Sequence, residues 1–137
     1  MEASEFLEQI EYLEYKIAHK KVKLSEWREI AESITSKVGG ERVQSSGSKN
    51  KMADATIEIV ALEKEITTME ETIKEIVATI EKVKTKEGKF LYQHYVEHLT
   101  LGEICWKENK SYSWATTKKN RSLKSIQKIL DGKDKRR

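Results

Sequence analysis

Three groups of side chains in this chain of 137 residues have the types and spacing to do chemistry. The largest is polar and basic: Lys110, Ser111, Tyr112, Ser113, Thr116, Thr117, Lys119, Asn120, Arg121 and Lys124. Hydroxyls and a carboxamide can meet base edges or phosphates, while lysine and arginine neutralise phosphate charge and release counterions. From Lys107 to the end there are eleven Lys+Arg and three acids, +8 in 31 residues. Such a surface would bind polyanions with an affinity that falls steeply with salt; the alternative is a solvated face that binds nothing. The second group, His94-Tyr95-Val96-Glu97-His98, fits the H-x-x-E-H pattern of inverted zinc peptidases. That chemistry needs a third ligand from another element and a large cleft-forming body, yet only Glu103 and Glu108 follow nearby. The histidines are therefore expected to be exposed helix residues, and the chain to be no enzyme, with no cofactor, metal or small-molecule substrate. The third group is one residue, Cys105. A lone cysteine rules out an internal disulfide and a Cys-rich zinc module. Nothing brings His19, His94 or His98 to it, so it is expected to fill core space.

The first group needs a scaffold of short helices. Phe90, Leu91, Tyr95 and Val96 make an amphipathic helix ending near His98. Thr100 is a good N-cap, and Glu103 three residues on completes a capping box for a helix over Leu101–Lys107. A turn at Glu108–Lys110 follows, then Ser111 caps a last helix running to about Leu130, stopped by Gly132 and the Lys133–Arg137 tail. Two closely crossing helices require a small residue in the first, a left-handed residue in the turn and a compact apolar residue in the second. Cys105, Asn109 and Ala115 fall at those spacings, with Ile104 as a neighbouring core contact. Lys110 and Lys118 stand where this motif usually carries apolar residues. Opposite Ala115, the residues Tyr112, Ser113, Thr116, Thr117 and Asn120 would enter a major groove. Lys110, Lys118, Lys119, Arg121, Lys124 and Lys128 supply charge around them. Trp106 and Trp114 are expected to pack between helices rather than stack on bases.

Upstream, apolar residues recur every 3.5 positions, the mark of a narrow coiled-coil stripe. The first run is Phe6, Ile10, Leu13, Ile17, Leu24, Trp27, Ala31 and Ile34, with Lys20 at one seam position. The second is Ile59, Leu62, Ile66, Met69, Ile73, Ile76, Ile80 and Val83. Lys20 could set register or snorkel to water. Helices over about 4–36 and 52–84, joined by a Gly/Ser-rich loop over 37–51, read as an antiparallel hairpin. Two helices leave an apolar edge, so a third helix or a second subunit should cover it. Within the loop, Val43-Gln44-Ser45-Ser46-Gly47-Ser48 is either a contact surface or a plain connector. No phosphate loop is present.

Composition frames these elements. Charged residues make up 36% and apolar ones 37%, and proline is absent. This points to long helices and excludes a large parallel-sheet enzyme. Residues 1–17 are acidic and interrupted by charge, unlike a secretory signal, and the longest apolar run is Ile59-Val60-Ala61-Leu62, too short for a membrane span. A soluble cytoplasmic protein is expected. The net charge of +3 divides into −4 over residues 1–87 and +7 over 88–137, which suggests two jobs, the basic one facing a polyanion.

Thr100-Leu101-Gly102-Glu103-Ile104-Cys105, the turn, and Ser111 through Leu123-Lys124-Ser125-Ile126 resemble the promoter-reading helix-turn-helix of sigma factors. With Trp27 and Ile30 ahead of Val43-Gln44-Ser45-Ser46-Gly47-Ser48, the longer pattern is similar to small phage and prophage transcriptional regulators of Gram-positive bacteria, of the RinA and ArpU types. The resemblance covers about residues 24–130 and implies a recognition helix starting at Ser111, Tyr112, Ser113, Thr116 and Thr117. Gly102 replaces a helix-favouring residue of that family, and Lys118 or Lys119 an aliphatic one. The expectation is an all-α protein. Residues 1–85 would form a long antiparallel coiled-coil hairpin, and residues 86–137 a sigma-factor-like helix-turn-helix with a basic tail. It would bind double-stranded DNA as a homodimer in a bacterial cytoplasm, the hairpin serving dimerisation or RNA polymerase contact. The competing reading is a coiled-coil module that regulates a host protein, RNA polymerase or a defence nuclease, without reading DNA.

Overall fold

The computed structural model describes residues 1–40 and 46–135. The protein is all-α: α1 (Ala3–Gly40), α2 (Ser46–Glu81), α3 (Lys86–Leu91) continuing as a π-helical turn (Tyr92–Val96), α4 (Leu101–Glu108) and α5 (Tyr112–Lys135). No strand occurs among the described residues, and no helix there is long and apolar enough to cross a membrane. Both long helices overrun the expected loop at 37–51, since α1 continues to Gly40 and α2 already begins at Ser46. Extending an existing helix adds one hydrogen bond per residue fixed, so glycines and serines beside a long helix are readily absorbed. For the same reason α5 passes through Gly132 instead of stopping there. Of the Val43–Ser48 stretch, Val43, Gln44 and Ser45 lie outside the described residues.

The chain divides into two compact units, one made of Glu14–Glu71 and the other of Met1–Leu13 with Thr72–Arg137. The expected boundary at residue 85 is thus displaced. In the Glu14–Glu71 unit, Ile17 and Leu24 of α1 and Ala55, Leu62 and Ile66 of α2 are buried, with Trp27, Ala31, Ile34, Ile59 and Met69 half-buried. Ion pairs join Lys20 to Glu65 at 3.0 Å, Lys21 to Glu70 at 3.7 Å and Arg28 to Glu63 at 2.6 Å. Lys20 and Arg28 pair with residues in descending order, so the two segments run antiparallel. Lys20 reaches off its seam position to the Glu65 carboxylate. Exposed pairs of this kind contribute about 0–1 kcal/mol each, which leaves the apolar stripe as the main adhesive. Outside the stripe, Tyr15, Val22, Ile57 and Val60 are each more than half exposed.

The other unit has a fuller core. Ala3, Leu7 and Ile10 of α1, Ile76 and Ile80 of α2, Leu91, Tyr95 and Ile126 of α5 form one buried cluster. The start of α1 is also tied by hydrogen bonds, the Ala3 N–H donating to Gln127 Oε1 at 2.8 Å and Gln127 Nε2 to the Met1 carbonyl at 3.4 Å. A second cluster joins Phe90, Ile104, Cys105 and Ala115, flanked by Leu99, Leu101 and Trp114. Between α2 and α3 the chain turns tightly. Thr85 caps α3, and Gly88 sits so near the end of α2 that a Cβ there would lie 2.2 Å from the Val83 carbonyl oxygen.

Candidate nucleic-acid interface

The turn between α4 and α5 follows from a few local preferences. Thr100 Oγ1 accepts the Glu103 N–H at 3.1 Å while Glu103 Oε1 accepts the Thr100 N–H at 2.8 Å, so the capping box closes as expected. Asn109 ends α4 at φ 57° and ψ 50°, the left-handed region that asparagine tolerates. The Asn109 N–H then reaches the Trp106 carbonyl at 3.3 Å and the Lys110 N–H the Cys105 carbonyl at 2.9 Å. Ser111 caps α5 by accepting the Trp114 N–H at 3.1 Å, and the Cys105 thiol donates to the Ser111 carbonyl at 3.2 Å. Cys105 and Ala115, 7% and 0% exposed, meet in the smaller cluster. The expected trio of Cys105, Asn109 and Ala115 thus occupies the positions its chemistry suits.

The expected interface residues divide by face. On a helix each residue advances about 100°, and Ala115, Ser122 and Ile126 mark the buried side of α5. Ser113, Thr117, Asn120, Arg121 and Lys124 lie on the opposite side, all exposed, with Lys128 continuing the line. Tyr112 and Thr116 are exposed on its flank, and Thr116 Oγ1 donates to the Tyr112 carbonyl at 3.2 Å. Lys110 and Ser111 are exposed in the turn. Lys119 departs from the group. It comes two residues after Thr117, hence about 160° away around the helix. There it lines a cleft of about 230 Å³ with Glu8, Glu11, His94 and His98.

Lys118 has a structural job. Its Nζ lies 3.2 Å from Glu87 Oε2, both side chains being four-fifths or more buried. The Glu87 carboxyl is held below its ordinary value, first by the Thr85 hydroxyl and then by Lys118. This explains a lysine where the helix-turn-helix pattern usually carries an apolar residue: its stem packs and its charge is matched by a carboxylate on α3. Lys89 is matched similarly, 3.3 Å from Glu108, whose carboxyl is lowered first by the Gln93 side-chain amide and then by Lys89. Each of these lysines already faces a carboxylate of the fold.

Trp106 corrects the expectation that both tryptophans pack. Trp114 is half-buried, its ring edge-on to Phe90 at 6.2 Å between centroids, but Trp106 is 88% exposed. With Ile104 and Cys105 both turned inward on an eight-residue helix, the next position must point out. That signal was present in the sequence.

The H-x-x-E-H residues do not share one regular helical turn. His94 lies in the π-helical segment, half-buried rather than exposed, with Nδ1 2.8 Å from the Leu99 carbonyl oxygen. His98 follows the helix end at φ 63° and lies 3.9 Å from Glu11. Among the described residues, no three His, Cys, Asp or Glu side chains converge as a metal site requires. Beside them Tyr95 Oη is buried without a hydrogen-bond partner, and burial, with the Glu8 charge adding to it, pushes the phenol up to about 12. No protein-family model, curated protein or solved structure matches the chain.

Proposed function

We propose that the protein binds double-stranded DNA through α5 and regulates transcription, in the manner of the phage and prophage regulators its sequence resembles, within the cytoplasm of a bacterial host. The observation that carries this reading is the outward face of α5. Ser113, Thr117, Asn120, Arg121, Lys124 and Lys128 are exposed together, and no carboxylate occurs from Tyr112 to Leu130. Hydroxyls and a carboxamide in the first turns of a helix are groups that read base edges in a major groove, and the arginine and lysines beyond them meet phosphates. The sigma-factor-like pattern of Thr100–Cys105, the Asn109 turn and the α5 start supports the same reading. Three or four phosphate contacts from Lys110, Arg121, Lys124 and Lys128 would give a salt slope of roughly −3 on logarithmic axes.

Footprinting and salt-dependent binding on the DNA flanking its own gene test this. The T117A/N120A/R121A variant should lose site selection, and R121A alone should flatten the salt slope by about one. Lys119→Ala, off that face, should leave binding nearly unchanged. Selective binding that survives the triple variant would refute the assignment of α5.

A second reading has its own observation. Tyr15, Val22, Ile57 and Val60 stay exposed on the Glu14–Glu71 unit, which favours a protein partner there: a second copy, RNA polymerase, or a host protein regulated without DNA. If function persists when the α5 variants no longer bind DNA, this interaction alone is the activity.

A further inference from the structure

We propose that Trp106 and Tyr112 form an aromatic clamp on the sugar–phosphate backbone of duplex DNA, beside the groove taken by α5; this rests on the DNA-binding reading above. Tryptophan is among the most buried residue types on average, yet Trp106 is 88% exposed and Tyr112 61%. They stand at the two ends of one turn, Trp106 in the last turn of α4 and Tyr112 opening α5. The left-handed Asn109 and the hydrogen bonds back to the Cys105 and Trp106 carbonyls fix that turn, so both rings are presented on a rigid base. Ordering them on contact costs little, because each ring has only two side-chain torsions.

Charge selects the occupant. Lys107 and Lys110 are exposed in the stretch of chain from Trp106 to Tyr112, whose one carboxylate, Glu108, already pairs with Lys89, and α5 adds further cations with no carboxylate as far as Leu130. Among the described residues of α4 and α5, Trp106 and Tyr112 are the only large apolar side chains left exposed. Two aromatic residues six positions apart, with exposed lysines between them in the chain, fall short of the extended apolar patch that marks a protein interface. They do suit a deoxyribose edge, whose apolar face packs on a ring while the indole N–H and phenol O–H donate to phosphate oxygens. Such contacts position a duplex without reading sequence, so a duplex of mixed sequence is a sufficient probe.

The test combines fluorescence anisotropy of a labelled mixed-sequence duplex with tryptophan emission from the intact protein. Emission of the wild type minus that of W106F isolates Trp106 from Trp27 and Trp114. The clamp predicts that duplex addition shifts the Trp106 emission. It also predicts that W106A and Y112A each weaken binding roughly tenfold, the mark of an aromatic anchor, with circular dichroism and melting unchanged because both rings are exposed. If the wild type binds the duplex in a salt-sensitive way while W106A binds equally well and the emission is unmoved, the clamp is wrong and the α5 reading stands. If the wild type shows no salt-sensitive duplex binding, the DNA reading fails and the clamp fails with it. Preference for a single strand over the duplex would also overturn the clamp.

Discussion

Gly88 gives the sharpest check on the packing between α2 and α3. Replacing it by alanine has two opposed effects. Alanine in place of glycine within a helix stabilises by about 1 kcal/mol. Against this, the new Cβ would stand 2.2 Å from the Val83 carbonyl oxygen and 3.2 Å from its carbon. Those are backbone atoms, which cannot rotate aside, so α3 would have to retreat by roughly 1 Å to restore an ordinary contact. That helix carries Phe90 and Leu91, which belong to the two separate core clusters, and the displacement would disturb both. Overpacking of this kind costs about 1–3 kcal/mol, and the upper end applies because the obstacle is rigid. The net loss is then about 2 kcal/mol, a fall in melting temperature of roughly 6–10 °C for a chain of this size. Two glycines serve as internal controls. A Cβ on Gly102 would find only Thr100 Oγ1 at 3.9 Å, and one on Gly132 nothing within 4 Å. Both lie in helices, so alanine there should raise stability by up to about 1 kcal/mol each. Thermal unfolding followed by far-ultraviolet circular dichroism would rank the variants. If G88A melts at or above the wild-type temperature, the close approach of Gly88 to Val83 is wrong.

Three further outcomes follow from the same core. The fragment 86–137 lacks Leu7, Ile10, Ile76 and Ile80, which pack with Leu91, Tyr95 and Ile126; at about 1.5–3 kcal/mol per buried side chain it forfeits as much as a small domain's whole stability. It should be largely unfolded, and a cooperative melt with full helix content would refute the core assignment. Tyr95→Phe removes a buried hydroxyl that has no partner and should stabilise by about 1 kcal/mol in denaturant unfolding. It should also remove a loss of stability between pH 10 and about 12, where the unfolded chain gives up the phenolic proton before the folded one. The Glu87 carboxyl lies below its ordinary 4.5 in the fold, so its contribution is complete above that value and disappears as pH falls through the lowered one. Glu87→Gln should therefore be less stable than wild type at neutral pH, with the gap closing in acid; a gap independent of pH would argue against the pairing with Thr85 and Lys118.

Much of the C-terminal architecture was legible because it rests on local rules. A threonine with a glutamate three residues on, an asparagine able to take the left-handed conformation, and small residues at Cys105 and Ala115 each constrain the chain within one or two turns. The 3.5-residue seams were legible for the same reason, and every apolar seam residue is buried or half-buried. The division into units was missed because a seam reports only one neighbour. Leu7 lies beside the Phe6–Ile10 seam yet is 0% exposed, and Thr79 beside Ile76 and Ile80 is 3% exposed. Where α1 begins and α2 ends, the buried stripe widens from one seam to a broad face, Ala3-Phe6-Leu7-Ile10 and Ile73-Ile76-Val77-Ile80. A wide stripe needs more than one partner. The sequence held that signal in the change of stripe width along each helix.

The candidate interface was legible in residue type but not in direction. Counting cations over the C-terminal region treats Lys118 and Lys119 as equals of Arg121 and Lys124, although they differ in what surrounds them. Lys118 is paired with Glu87 on α3, a partner about thirty residues away that no local pattern announces. Lys119 borders the cleft beside Glu8 and Glu11, on a stretch of α1 that reaches it only through the fold. Glu8 and Glu11 belong to an acidic segment that looks separate in the sequence, and Glu87 is a lone acid among Lys82, Lys84, Lys86 and Lys89. The formal charge of the basic half therefore overstates what a phosphate would meet, and part of the acidic excess upstream is spent against it. What remains for a nucleic acid under the DNA-binding proposal is a narrower set of cations, Lys110 with Arg121, Lys124 and Lys128. If the proposed binding holds, these cations would fix the register of one helix in one groove, and the direction of each charge would then matter more than the sum.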